Sequence, residues 1–473
     1  MSADKTLISK TATEMVDLLD QGEVTPLDAL DALEARIAEV DPKVNALPTL
    51  CFDRARARAA ALMDKPVSQR GVLKGLPVPI KDLSEVEGVR TTFGSPIFAD
   101  HVPERSDAMV ELMEARGAVI YAKSNTPEFG AGASTFNEVF GRTLNPWNTT
   151  RSPAGSSGGA AAALASGMAW VAQGTDLGGS LRNPASFCGV VGLRPSPGRV
   201  PAGPAALPWD SLGVKGPMAR NVPDLALLLD AMAGQSDVDP LSFVTEPGLF
   251  SRAAASRARP ARIAFSRDLG VTPVDPEVAA ICEAAARRFE EIGVAVEEAC
   301  PDFSGTEEVF QTLRALNYAA SKQPLLDSHR DLLKPEVIWN IEKGLSLTVQ
   351  EVMRAERERA RIMQSAVAFF ADYDLLLSPA TIVPAFGAEE RYCAECDGHV
   401  FDNYIQWLAV AYAITITSCP ALSLPCGFTK SGLPVGLQMV ARPRGEAGVI
   451  AAAAALDDLL GFCAMTPIDP REG

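Results

Sequence analysis

The chain has 473 residues, 47% hydrophobic and 22% charged, the balance of a water-soluble globular protein with a large core. A formal net charge of −16 leaves no excess of Lys and Arg to neutralise phosphates, which argues against a nucleic-acid-binding surface and disfavours an anionic membrane. Nine cysteines scattered over the chain, acidic residues through the first twenty positions and no apolar run of the ~18 residues a membrane span requires together predict a reduced, cytoplasmic protein.

At ~100–200 residues per domain the length would allow three domains, but no linker divides the chain, so one domain over residues 1–473 is expected. Within it, residues 1–70 read as a helical layer. Thr25-Pro26, a capping hydroxyl before proline, starts a helix over 26–40 with Leu27, Leu30, Leu33 and Ile37 on one face, and a second covers 52–63. The apolar run GLPVPIKDL reads as a buried strand over 76–81 that ends on Lys81. Burial disfavours an ammonium, so this lysine is expected to be neutral and therefore a base. A helix over 108–116 feeds a strand over 118–122, and a glycine-rich segment with Gly130 and Gly132 follows.

Residues 151–194 hold two serine-bearing turns, AGSSGG and TDLGGS, joined by a helix over 160–166 and a strand over 168–173. Glycines around Ser156, Ser157 and Ser180 permit close approaches that side chains would forbid, and such turns can aim N–H groups at an anion. The crossover between them can return Ser180 to the neighbourhood of Ser156. Further on come an irregular segment carrying Trp209, a helix over 222–232, a strand over 262–266 and a helix over 275–292. Residues 305–372 read as mostly helical, and the region 300–400 as a variable wall or lid. A helix over 403–414, strands over 421–425 and 435–440 and an alanine-rich helix over 447–460 close the chain. Alternating strands and helices imply an α/β fold with its sheet covered on both sides.

Lys81, the AGSSGG turn and the GTDLGGS turn, in this order and spacing, resemble the amidase signature family of serine hydrolases, most specifically over residues 75–232. The resemblance implies a single domain built on a central twisted mixed β-sheet with helices on both faces. It implies a Lys81, Ser156, Ser180 triad in which Ser180 is acylated, Ser156 follows a cis peptide and relays the proton, and neutral Lys81 is the base. The N–H groups of Leu177, Gly178, Gly179 and Ser180 would hold the oxyanion, and Gly130 would line the acyl site. Ser157, Thr175, Asp176 and Arg182 fall on supporting positions, with a salt-bridged Asp176 and Arg182 serving the fold. The expected reactants are a small-molecule amide and water, with no cofactor and no metal.

Other readings stay open. Gly155–Gly159 also matches G-x-S-x-G, which would make Ser157 a nucleophile, but only His329 and His399 follow it to serve as base. The same core motifs occur in the A subunit of tRNA-dependent amidotransferases, although the segment after Gly198-Arg199-Val200 departs from their pattern. Carbamates and esters need the same attack as amides, and a binding protein without turnover is disfavoured by the complete triad. Cys393, Cys396 and His399 give three potential metal ligands where a structural zinc site wants four, so a plain loop is expected. Trp209, Phe386 and Tyr404 suggest an apolar pocket for an aryl or alkyl acyl group. A homodimer is the default oligomeric expectation.

Overall fold

The computed structural model describes residues 5–472. Eleven strands position the site: β1 (Thr49–Leu50), β2 (Pro77–Lys81), β3 (Val119–Ser124), β4 (Val171–Asp176), β5 (Val191–Arg194), β6 (Val214–Ala219), β7 (Arg262–Phe265), β8 (Ala295–Glu298), β9 (Leu375–Pro379), β10 (Ala421–Phe428) and β11 (Pro434–Ala441). Eight of them form one mixed sheet in the order β8-β7-β9-β11-β10-β5-β6-β4, parallel where β7 meets β8 and β9 and antiparallel elsewhere. The flanking helices complete the expected mixed α/β architecture.

The remaining three strands make a smaller sheet in the order β1-β3-β2, with β2 and β3 parallel. Every residue of β2 and of β3 is buried, as continuous apolar runs require when both faces are covered. No ladder joins the two sheets. Instead β2 lies beside β4, and the Lys81 N–H donates to Gln173 Oε1 at 3.0 Å.

The helices used below are α1 (Pro26–Val44), α2 (Gly158–Ala165), α3 (Arg182–Cys188), α4 (Val222–Met232), α5 (Thr306–His329), α6 (Pro335–Leu345), α7 (Val349–Phe369), α8 (Ala409–Thr415) and α9 (Glu446–Leu460). Thr25 and Asp28 form a reciprocal capping box that starts α1 where expected. The wholly buried α2 packs against β2, β3 and β4, and α3 packs on β5, β10 and β11. One apolar cluster runs from Ile8 to Cys463, while a smaller one gathers Tyr318, Leu326, Val337 and Ile341 between α5 and α6.

Two elements differ from their expected bounds for local reasons. Gly167 adopts φ 76° and lets the Met168 N–H return to the Ala163 carbonyl at 2.8 Å, so the turn consumes residues 166–168 and the strand begins only at Val171. That shift puts Thr175 and Asp176 on the strand's end. The helix expected from 403 starts at Ala409, after a 3₁₀ turn over Gln406–Leu408. There the Asn403 side chain accepts the Ile405 N–H and the Gln406 side chain accepts the Asp402 N–H, local bonds that compete with the helix ladder. Among the described residues no helix is long and apolar enough to cross a membrane.

Candidate active site

Strand β2 delivers Lys81 into the interior, where its side chain has no solvent exposure. Its Nζ lies 2.7 Å from Ser156 Oγ, 2.9 Å from Ser157 Oγ and 2.9 Å from Thr175 Oγ1. Burial penalises the ammonium form and carries the pKa well below the ordinary lysine range, with Asp176 opposing by less. An amine surrounded by three hydroxyls, with no contacting carboxylate, is in a setting that favours its neutral form.

The first turn is shaped by close packing. Ser156 follows a cis Gly155–Ser156 peptide, and a Cβ at Gly159 would lie 2.3 Å from the Asn125 backbone nitrogen and 2.6 Å from the Ala46 carbonyl. Ser157 N–H donates to the Ser180 carbonyl at 3.2 Å, which ties the first turn to the second. Gly130 is tucked in close by, with φ 75° and room for a Cβ only 3.3 Å from Ser156 Oγ.

The second turn is held from behind by Asp176. Its carboxylate accepts from Gly179 N–H at 2.9 Å and Leu181 N–H at 3.1 Å, and pairs with Arg182 through two contacts of 3.0 Å. Arg194 Nη1 adds a bond of 2.6 Å to the Asp176 carbonyl. Burial alone would raise the Asp176 pKa, but Arg182 and Arg194 outweigh it and hold the acid far below the carboxylate range. Arg182 is further fixed by Ala411 O, Gln438 and Thr415. The expected Asp176–Arg182 salt bridge is present and fully buried.

This anchoring corrects one expectation. Gly179 is buried and spends its N–H on Asp176, so it is not a free oxyanion donor. Leu177, Gly178 and Ser180 are half-buried, and their N–H groups have no acceptor among the described residues. The usable donor set therefore comes from these three.

A cavity of about 260 Å³ opens onto Ser156, Ser180, Gly130, Leu177 and Gly178. Of the three aromatic pocket candidates, only Tyr404 lines it, with its hydroxyl accepting from Asn340 Nδ2 at 2.5 Å. Trp209 is 72% exposed on the irregular segment before β6, where nothing draws it inward. Phe386 is core, packed edge-on against Phe187 at 5.7 Å and Trp407 at 5.6 Å. Phe129, Phe310 and Tyr318 supply the cavity's aromatic surface in their place. Arg314, Tyr318 and Lys322 also reach it from one face of α5, a spacing of four and four that the sequence displays but that lies outside any motif.

The alternative serine site finds no partner. Ser157 has no solvent exposure, and its hydroxyl donates to the Thr175 carbonyl at 3.2 Å. His329 is exposed with Nδ1 2.7 Å from Ser328 Oγ, His399 is exposed beside Phe401, and neither lines the cavity. Cys393 and Cys396 bond backbone carbonyls, and burial pushes their thiols up to about 11 and about 12, which disfavours the thiolates a metal needs. Among the described residues no group of three His, Cys, Asp or Glu could hold a metal ion.

A family model described as Amidase matches residues 28–450. An acylamidase from Rhodococcus erythropolis is 34% identical over 97% of this chain and 97% of its own length. The A subunit of a glutamyl-tRNA(Gln) amidotransferase from Moorella thermoacetica is 36% identical over 94% of this chain and 96% of its own. Among solved structures, a bacterial aryl acylamidase of the amidase signature enzymes superposes with a TM-score of 0.89 at 28% identity, covering 97% of this chain and 99% of that one.

Proposed function

Because this chain belongs to the amidase family and so hydrolyses amide C–N bonds, we propose that it does so through acylation of Ser180, with Ser156 and Lys81 carrying the proton. The observation that carries this reading is the solvent-free contact of 2.7 Å between Lys81 Nζ and Ser156 Oγ. A neutral amine has two N–H donors and one lone pair. Ser157 gives its own proton to the Thr175 carbonyl and so accepts from Nζ. With Thr175 Oγ1 as the second acceptor, the lone pair is left for the Ser156 hydroxyl.

Attack of Ser180 Oγ on the amide carbonyl then forms a C–O bond while its proton moves to Ser156 Oγ and that of Ser156 moves to Lys81. The oxyanion is met by N–H groups of the Leu177–Ser180 turn, each such donor being worth ~10²–10³ in rate. Collapse breaks the C–N bond as the relay returns a proton to the departing amine, and water repeats the sequence on the acyl-enzyme. The carboxylic acid leaves and Ser180 is restored. The aromatic lining from Phe129, Phe310, Tyr318 and Tyr404 supports an aryl or alkyl acyl amide as substrate. Carbamates and esters would meet the same nucleophile and donors.

The identity to an amidotransferase subunit motivates a second reading, in which the chain acts only within a tRNA-dependent complex. Purified chain mixed with 4-nitroacetanilide and its longer-chain acyl homologues decides between them. Release of nitroaniline by the chain alone is the expected result. Activity that needs partner proteins and charged tRNA would instead support the amidotransferase.

A further inference from the structure

The cavity's charge does not follow that of the chain. The protein carries a net −16, yet the charged side chains lining the cavity are Lys215, Arg314, Lys322 and a single carboxylate, Asp176. Asp176 is already neutralised by Arg182 and Arg194, and Lys215 by Asp107. Two cations on α5 remain without a carboxylate among the described residues.

Arg314 is 6% exposed and bonds only neutral groups, Asn340 Oδ1 at 2.8 Å and Tyr318 Oη at 3.5 Å, with its guanidinium over the Tyr318 and Tyr404 rings. Lys322, two helical turns on, has its Nζ 4.9 Å from the centre of the Phe129 ring, 5.7 Å from that of Tyr318 and 3.5 Å from Ser321 Oγ. Burial lowers its pKa and no nearby acid offsets the shift. An ammonium with only ring faces and one distant hydroxyl around it keeps donors unused on the wall of the cavity that Lys322 lines. Withholding counter-charge from a half-buried cation costs stability, and a bound anion recovers that cost through charge-assisted bonds. Cations concentrated in a low-dielectric cleft of an acidic protein also draw anions selectively to that cleft.

We propose that the amide substrate of this site carries a carboxylate, which Lys322 binds with Arg314 beside it. The proposal rests on the amidase reading for the identity of the substrate's other end. It makes the cavity a site for a monoamide of a dicarboxylic acid or an amide of an amino acid, with the apolar spacer lying along Phe129, Phe310 and Tyr318.

Binding tests this without turnover. Calorimetry on the Ser180→Ala protein compares glutaranilic acid with pentananilide, which places the charge on the acyl side, and 4-acetamidobenzoate with 4-methylacetanilide, which places it on the amine side. At least one anionic compound is expected to bind about 10-fold tighter than its neutral counterpart. That preference should fall by about 10-fold in the added Lys322→Met variant and persist in Lys322→Arg, with circular dichroism verifying the fold of each. No preference in either pair, or a preference that survives Lys322→Met, overturns the proposal. Hydrolysis of neutral anilides by the unmodified enzyme reads the amidase assignment separately, so the two can fail independently.

Discussion

In the proposed relay Lys81 is the final proton acceptor, and its complete burial ties the same residue to stability. Ser180→Ala is expected to abolish amide turnover and labelling by a fluorophosphonate, and persistent labelling would refute Ser180 as nucleophile. Lys81→Ala should lower kcat/KM by ~10³ or more with the fold intact, a general-base term enlarged by the loss of the relay's proton acceptor. Because the proposed mechanism needs the amine uncharged, kcat/KM should rise with pH through the Lys81 pKa, which lies below the ordinary lysine range. The same shift sets a stability trend. An unfolded lysine keeps its proton up to about pH 10.4, while the folded one releases it at lower pH, so the unfolded chain binds more protons in that window. Stability relative to a Lys81→Met variant should therefore increase with pH, and urea titrations of both proteins at pH 6.5 and 8.5 would expose a flat difference.

At the level of elements, the turn that opens α2 is fixed by contact rather than propensity. Alanine is a better helix former than glycine by up to ~1 kcal/mol, so Gly159→Ala on a free helix would be stabilising. Here the added methyl would sit 2.3 Å from Asn125 N and 2.6 Å from Ala46 O, backbone atoms that cannot swing aside. Overpacking of this kind costs ~1–3 kcal/mol or more, so a lower melting temperature and loss of activity are expected. A variant as stable as the parent would show that α2 can retreat from β3. The glycine runs were readable because a site built from backbone approach must be written in small residues close together. So was Lys81, since a lysine closing a buried strand has few structural uses. The α5 wall was harder to read. Arg314, Tyr318 and Lys322 share one helix face by their spacing, but that this face lines the cavity shows only once the helix is placed against Phe129 and Tyr404, residues far away in sequence. Composition alone likewise gave Trp209 and Phe386 the same weight as Tyr404, because aromatic type does not say whether a ring reaches a cavity, the core or solvent.

For the molecule as a whole, the thiols set the alkaline limit. All nine cysteines are free, and burial raises the pKa of Cys51, Cys188, Cys282, Cys300, Cys393, Cys396, Cys419 and Cys463. A raised thiol pKa means that the folded chain keeps protons the unfolded chain gives up above about pH 8.5. The stabilisation is complete below that value and drains away as pH rises toward the folded pKa, by up to ~1.4 kcal/mol per pH unit for each group. Five lysines whose pKa burial lowers, Lys81, Lys322, Lys343 and, to about 8, Lys123 and Lys334, act in the opposite sense over part of the same range. They are outnumbered by the thiols, so the net slope is downward. The urea midpoint, measured with reductant present, should be clearly lower at pH 9.5 than at pH 7.5. An unchanged or higher midpoint would mean that the thiols ionise in the native state, which a closed core around Cys188, Cys282 and Cys463 does not allow.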